Sequence, residues 1–474
     1  MDEKKHVNYF HYIVVIAFCL FFRFLPGPLG ITPMGMGLLG VFIGAVYGWI
    51  FIDMLWPSIM GLLGAGLTIG MGKMLAGSFG TDSVMMLAFC MIIVGLAMKT
   101  GAFDWLVKVL LSNKLMQGRP WLTIWLIFLI AFPMGFIHCI LMMVVLGAFG
   151  TTMFKACNVA RNDKLAVFYY LGCAFSLMMG QVMLPFIGTG LVFYRSYTTM
   201  FPDMPMQMAP YIVFMVVMGI IMLTAFTLLM RFVFRVDASP LANFCNDCTI
   251  EPATRDQRVS LIVFACFIVL CVFSSLSLGP ISAFLSQFGL IGILFALACL
   301  VALLPSSDGG KLADLEGLLS TTNWGQLCMV GLIMVFATYF SSQDAGIMGA
   351  VRQLFAPFMS LSPWVFIIIM LVIAVVLTNI SNNMIVMIVI LPFLVSYASE
   401  VGLAPTMVTV LLYLMVQLAL ATPAASPVAA IAFTQEWVDP QAMTKNACKI
   451  LPLLTVIGIA IGLPMASLLF SIMA

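Results

Sequence analysis

The chain has little charge. Asp, Glu, Lys and Arg together make up 8% of its 474 residues, where soluble domains carry about a quarter. Histidine is scarcer still, with three residues in all. That excludes a His-rich metal centre. No His-Glu-x-x-His run and no Gly-x-Ser-x-Gly elbow occurs, so the marks of a zinc peptidase and of a serine hydrolase are both missing. The basic residues are dispersed, which leaves no footprint for nucleic acid. Alternating segments of roughly ten residues, the pattern of a transmembrane β-barrel, are also absent.

What is abundant is apolar sequence. Hydrophobic residues reach 63%, and uncharged runs over 24–52, 165–194, 204–230, 259–307, 353–399, 401–435 and 450–474 all exceed the ~20 residues that span a bilayer as a helix. The class is an all-α polytopic membrane protein. The charged head and apolar stretch of residues 1–25 lack a small-residue cleavage site and read as a retained first helix. Gly40, Gly44 and Gly48 recur every fourth residue in the second helix, a spacing that lets helices approach closely. The cysteines lie mostly in apolar runs and read as reduced packing residues. Cys245 and Cys248 form one Cys-x-x-Cys in a polar loop, too little for a zinc site.

The positive charges set an orientation. With the N-terminus in the cytoplasm, only Lys73, Arg195 and Arg352 fall outside and Arg23 falls within a helix; every other Lys and Arg falls inside. This works only if two uncharged stretches, about 120–154 and about 363–399, return to the side they enter from. Each is too long for one span and too short for two spans with a turn, so each reads as a re-entrant hairpin. A long helix interrupted by small residues and proline follows each one: "GQVMLPFIGTG" (180–190) within about 165–199, and "ALATPAASP" (419–427) within about 405–435. The expected layout is an N-terminal helix (1–34), a first repeat (35–236), a cytoplasmic linker (237–258) and a second repeat (259–474). A helix, a hairpin and a broken helix in each half, in opposite orientations, is the pattern of an inverted-repeat secondary transporter.

Polar residues gather at the hairpin tips and helix breaks, most densely in "LTNISNNMIV" (377–386). Irregular backbone at membrane depth is tolerated only when buried in protein or lining a wet cavity. Helix N-termini there suit an anion, while helix C-termini and unwound carbonyls suit a small cation. The stretch "SNNMIVMIVILPFL" (381–394) resembles the Ser-Asn-Thr tip motif of the divalent anion/Na⁺ symporter family within the ion-transporter superfamily. Ala421-Thr422-Pro423 resembles that family's small-Thr-Pro triplet, and Gly188-Thr189-Gly190 its first-half copy with Gly190 in place of the usual proline. The resemblance implies an elevator-type carrier of a dicarboxylate, tricarboxylate or sulfate. Such carriers are commonly Na⁺-coupled and homodimeric, and some are exchangers.

Carried over residue by residue, Ser381 and Asn382 match the motif and Asn383 replaces its threonine, keeping a donor for an anion oxygen. The implied substrate contacts are Ser381, Asn382, Asn383, Thr422, Pro423 and Thr189, with His138 and Cys139 standing where the first tip would carry Ser-Asn. The implied Na⁺ contacts are Ser381, Asn382, Thr378, Ala421 and Gly188, with Asn379 beside them. His138 titrates near neutrality when unperturbed, so H⁺ is the alternative coupling ion. Asn and Ser also close turns unaided, Thr also satisfies carbonyls freed by a helix break, and Gln417 reads as packing. A Ser381–His138 enzyme pair and a continuous pore are the competing classes; neither explains paired hairpins.

Overall fold

The structure, a computed structural model, describes residues 9–111, 118–243, 252–275, 280–307, 309–320, 322, 324–340, 342–347, 349–350, 353, 362–423 and 425–472. Cys245 and Cys248 lie outside the described residues. The described residues form nineteen α-helices and no sheet. The chain opens with α1 (Tyr9–Phe21), α2 (Pro33–Phe51), α3 (Leu55–Ile69) and α4 (Met71–Gly77). Then come α5 (Asp82–Lys99), α6 (Ala102–Leu111), α7 (Pro120–Ala156), α8 (Lys164–Gln181), α9 (Gly188–Met200) and α10 (Met208–Leu228). Beyond the polar linker follow α11 (Arg255–Ser275), α12 (Pro280–Leu303), α13 (Leu315–Ser320) and α14 (Trp324–Phe340). The last are α15 (Pro363–Thr378), α16 (Asn383–Glu400), α17 (Pro405–Val416), α18 (Pro427–Phe433) and α19 (Pro440–Ile472).

Local sequence sets these boundaries. Seven of the helices, α2, α7, α12, α15, α17, α18 and α19, open on proline, whose fixed φ and missing N–H suit a first turn. Thr32, Asp163, Asn382 and Ser426 cap α2, α8, α16 and α18 through their side-chain oxygens. Among the described residues four helices are long and apolar enough to cross a membrane: Pro33–Phe51, Met208–Val233, Asn383–Glu400 and Pro440–Ser471. Exposed apolar stripes run along α3 (Leu55, Ile59, Leu63, Leu67) and α15 (Val365, Ile369, Val372, Val376), the surface expected to meet lipid. The glycine face of α2 packs inward: Cβ atoms on Gly40 and Gly44 would strike α1, and one on Gly48 would strike Pro57 of α3.

The helix assignment runs unbroken through α7, where the sequence predicts a hairpin. A straight helix of this length would hold its ends about 55 Å apart. Here both ends lie at the Lys164 end of α8. Trp121 lies under the Arg231 guanidinium at 5.7 Å, Phe232 is 5.2 Å from that same group, and Phe234 lies against Phe168, tilted, at 4.8 Å. From the other end, Phe154 meets Tyr169 at 5.3 Å. The middle of α7 lies at the opposite end of α8, with Gly135 against Leu177 and the Phe132 carbonyl against Gly180. The segment therefore folds back on itself, its arms Pro120–Phe136 and Met142–Ala156 running along α8 in opposite senses. Gly135 and Gly180 are required at this contact, because a Cβ on either would collide with the backbone carbonyl facing it.

The second hairpin is explicit. α15 and α16 are joined by the four residues 379–382, and Phe366 and Tyr397 face each other across its open end at 4.0 Å. The two interrupted helices are α8–α9, broken over 182–187, and α17–α18, broken over 417–426. The halves exchange partners. α7 packs against α18, past the second break, and α16 packs against α9, past the first. The Tyr413 hydroxyl donates to the Phe193 carbonyl across the same boundary.

Candidate functional site

The second tip and the second break are tied together by side chains whose hydrogen-bonding capacity is used up. Asn379 donates to the Val375 carbonyl at 2.8 Å and the Leu418 carbonyl at 2.7 Å. Its carbonyl oxygen accepts from the N–H groups of Leu420 at 2.8 Å and Ala421 at 2.7 Å. Thr378 donates to the Val416 carbonyl at 2.9 Å, and Thr422 donates to the Asn379 carbonyl at 2.7 Å. Breaking a helix frees backbone groups that water would satisfy in solution but cannot reach at membrane depth. Here the hairpin tip supplies their partners. Asn382 caps α16 by accepting from Met384 N–H at 2.9 Å. Asn383 donates to the Gln417 side-chain oxygen at 3.1 Å. Two buried atoms of this cluster lack a partner, Ser381 Oγ and Gln417 Nε2.

The first tip and the first break line a cavity of about 670 Å³. Gly135, Phe136 and Cys139 come from the hairpin, Gln181 from the end of α8, and Gly188 and Thr189 from the start of α9. The face of α5 from Leu87 to Lys99 closes one wall, and α13 and Gln326 another. The α9 N-terminus has no side-chain cap, so its free N–H groups and the helix dipole bear on this space. Gly188 enters the helix at φ +52°, a left-handed conformation glycine adopts without cost. Thr189 donates to the Gln181 side-chain oxygen at 2.9 Å. Lys99, at the exposed end of α5, is the one charged residue of the lining among the described residues, so the field there favours an anion. Among the described residues no group of three or more His, Cys, Asp or Glu could hold a metal.

The predicted contacts thus divide into two groups. Thr378, Ser381, Asn382, Asn383, Ala421 and Thr422 meet at the second tip and break, with Pro423 exposed at the edge of the unwound segment. Gly188, Thr189 and Cys139 line the cavity, and none of the first group does. His138 precedes Cys139 in α7, and its side chain lies outside the described residues. Two residues stand in these places without having been predicted there. Lys99 counts in the sequence only as a topological charge. Gln417 carried a signal, an amide deep in an uncharged run and four residues before Ala421, but nothing in sequence separates that from packing.

An all-helical membrane protein with two fold-back hairpins, two interrupted helices and its polar atoms collected where they meet is a secondary transporter by class. The chain belongs to the citrate transporter family, whose model matches residues 41–416. That makes it an anion transporter rather than an enzyme, and it meets the resemblance to divalent anion symporters within the same superfamily. Its fold is similar to that of the YdaH transporter of Alcanivorax borkumensis, whose crystal structure is described as revealing an unusual topology. The TM-score is 0.54 at 13% identity, over 85% of this chain and 88% of that one. Among curated proteins none matches it.

Proposed function

We propose that the protein is a cation-coupled carrier of citrate or a closely related di- or tricarboxylate in the cell membrane. The observation that supports this most directly is the cavity at the first tip. An uncapped helix N-terminus and one lysine face it, and among the described residues no acidic side chain lines it. That arrangement attracts a multivalent anion without fixing it by charge pairing, so the anion can also leave. With the N-terminus cytoplasmic, the Lys99 end of the cavity opens inward and the structure corresponds to the inward-facing half of an alternating-access cycle. The carrier works as a homodimer by an elevator motion in which hairpins and broken helices travel together.

Na⁺ is the first coupling ion to test, because the carbonyls of the unwound second break supply hard oxygen ligands. H⁺ is the second, because the Asn379 side-chain oxygen, a ligand a Na⁺ would use there, is already engaged with two N–H groups of the break. Purified protein in liposomes tests both. Labelled citrate, succinate and sulfate are offered under separate Na⁺ and pH gradients and against preloaded anion. Saturable citrate or dicarboxylate uptake driven by one gradient is expected. Lys99→Gln should raise KM several-fold, most at low ionic strength where the lysine's field is least screened, and Lys99→Arg should restore it. No saturable uptake of any anion under any of these conditions would overturn the proposal.

A further inference from the structure

The polar groups at the second tip and break close on one another except at Gln417 and Ser381. The Gln417 side chain is fully buried, with 0% of its surface exposed. Its oxygen accepts from Asn383 Nδ2 at 3.1 Å, while the Asn383 side-chain oxygen accepts from Met384 N–H at 3.0 Å. The series runs in one sense. Reversing the two amides would set Asn383 Nδ2 against the Met384 N–H, donor against donor. The network therefore holds the Gln417 oxygen toward the tip and leaves Nε2 as the free end, and Nε2 has no acceptor. A buried donor left unmade is costly, and folded proteins leave few of them. Ser381 Oγ, in the same tip, is likewise buried and unpartnered. Both lie beside the N-terminus of α16, a helix of 18 residues, whose partial positive charge has the same preference.

An amide nitrogen offers hydrogens and no lone pair. Its missing partner is an oxygen that accepts, which fits a carboxylate and does not fit a metal cation. We propose that Gln417 Nε2, with Ser381 Oγ, forms a carboxylate-oxygen subsite, and that Gln417 is a specificity-determining residue of the carrier. This rests on the proposed carboxylate transport. It also separates the two ligands at the second tip: the Gln417 side takes the anion, and any coupling cation sits elsewhere among the tip and break oxygens.

The test uses full-length protein, with citrate as the probe, read by ligand-induced thermal stabilisation in detergent and by uptake in liposomes. Gln417→Glu keeps the oxygen that serves Asn383 and replaces only the free donor by an acceptor. The expected result is at least a tenfold rise in the citrate midpoint and in KM at neutral pH. Relative to wild type at each pH, binding should recover as the pH falls and the new carboxyl regains a proton to donate. Gln417→Met, which has no donor at any pH, should show the same loss without recovery. The apparent affinity for the coupling cation should stay within twofold in both. Wild-type citrate midpoints in the two variants would overturn the inference while leaving the carrier intact. So would a shift confined to the cation dependence, which would mean that the oxygen end faces the site. A wild-type protein that neither binds nor carries any carboxylate would overturn the function itself and this subsite with it.

Discussion

Asn379 holds four backbone groups at once: the Leu418 carbonyl and the Leu420 and Ala421 N–H groups of the second interrupted helix, and the Val375 carbonyl of its own helix α15. Ser381, two positions on, holds none, and its hydroxyl is buried without a partner. The two should respond oppositely to truncation. Asn379→Ala strands the four groups where water cannot replace the side chain, and a loss of about 3 kcal/mol or more is expected. It would be seen as a lower melting temperature and a poor yield of monodisperse protein. Ser381→Ala should leave the melting temperature within about a degree, since it removes an unpaired hydroxyl from a buried place. It should still lower citrate uptake at least fivefold. Equal melting temperatures for the two variants would refute this division of labour. The sequence made the cluster 378–383 visible, because amides and hydroxyls amid uncharged residues are costly without a use. It could not apportion roles, since the partners of Asn379 and Thr378 sit some forty positions away and the choice between pin and ligand is made by which carbonyls face them.

At the scale of elements, the breaks were legible and the first reversal only half so. Gly188, Pro423 and the flanking threonines announce interrupted helices by residue type. The first hairpin was legible from charge alone: basic segments on both flanks of 35 uncharged positions demand a return. Pro133 and Gly135 stand just before its turn, and the helix runs on past both. What fixes the reversal is the close contact of Gly135 and Gly180 at the far end of α8. Gly180→Ala inserts a methyl where the Phe132 carbonyl already sits, and overpacking of this kind costs about 1–3 kcal/mol. Because the strain falls between tip and break, uptake should drop more than tenfold while α-helical circular dichroism is retained. The same substitution at Gly402, which has nothing around it but a φ of +71°, should lower stability with little effect on KM.

A second element-scale contact lies at the water-facing end of α11. Asp256 accepts from Ser306 Oγ at 2.8 Å, Ser307 N–H at 2.9 Å and Ser307 Oγ at 3.0 Å, joining the start of that helix to the loop after α12. The Ser306 hydroxyl foremost, with Ser307 and Arg255 adding to it against a partial opposing desolvation, holds this carboxyl below its ordinary value. A carboxyl depressed on folding adds stability at pH values above its unfolded pKa of about 4 and loses it as the pH falls through the folded value. Asp256→Asn should therefore melt below wild type at pH 7, and the two curves should converge in acid below pH ~3. A constant gap across that range would show that the contact acts by shape and not by charge.

For the whole molecule the question is which parts move together. The cores of the two halves are continuous from α5 to α19, whereas α1, α2 and α3 form a separate apolar cluster that meets the rest through α14. Within the large core the halves are locked at one end of the hairpin and break assembly. The Trp437 indole donates to the Val159 carbonyl at 3.1 Å and lies near Lys155 and Arg161, at 5.8 Å and 5.6 Å. Asn162 donates its N–H to the Trp437 carbonyl at 2.9 Å and accepts from Asp439 N–H at 2.6 Å, with its amide on the Asp439 carboxylate. If each half opened and closed independently, this joint would have to part in every cycle. If both hairpins and both breaks travel as one body, as an elevator requires, it stays closed throughout. Paired cysteines at the two positions, Asn162→Cys with Asp439→Cys, decide between these. Oxidation should form the cross-link readily, as a mobility shift absent from either single variant, and citrate uptake in liposomes should remain at half or more of the reduced level. Loss of uptake on oxidation, restored by a reductant, would mean that the joint opens during transport and that the two halves move against each other.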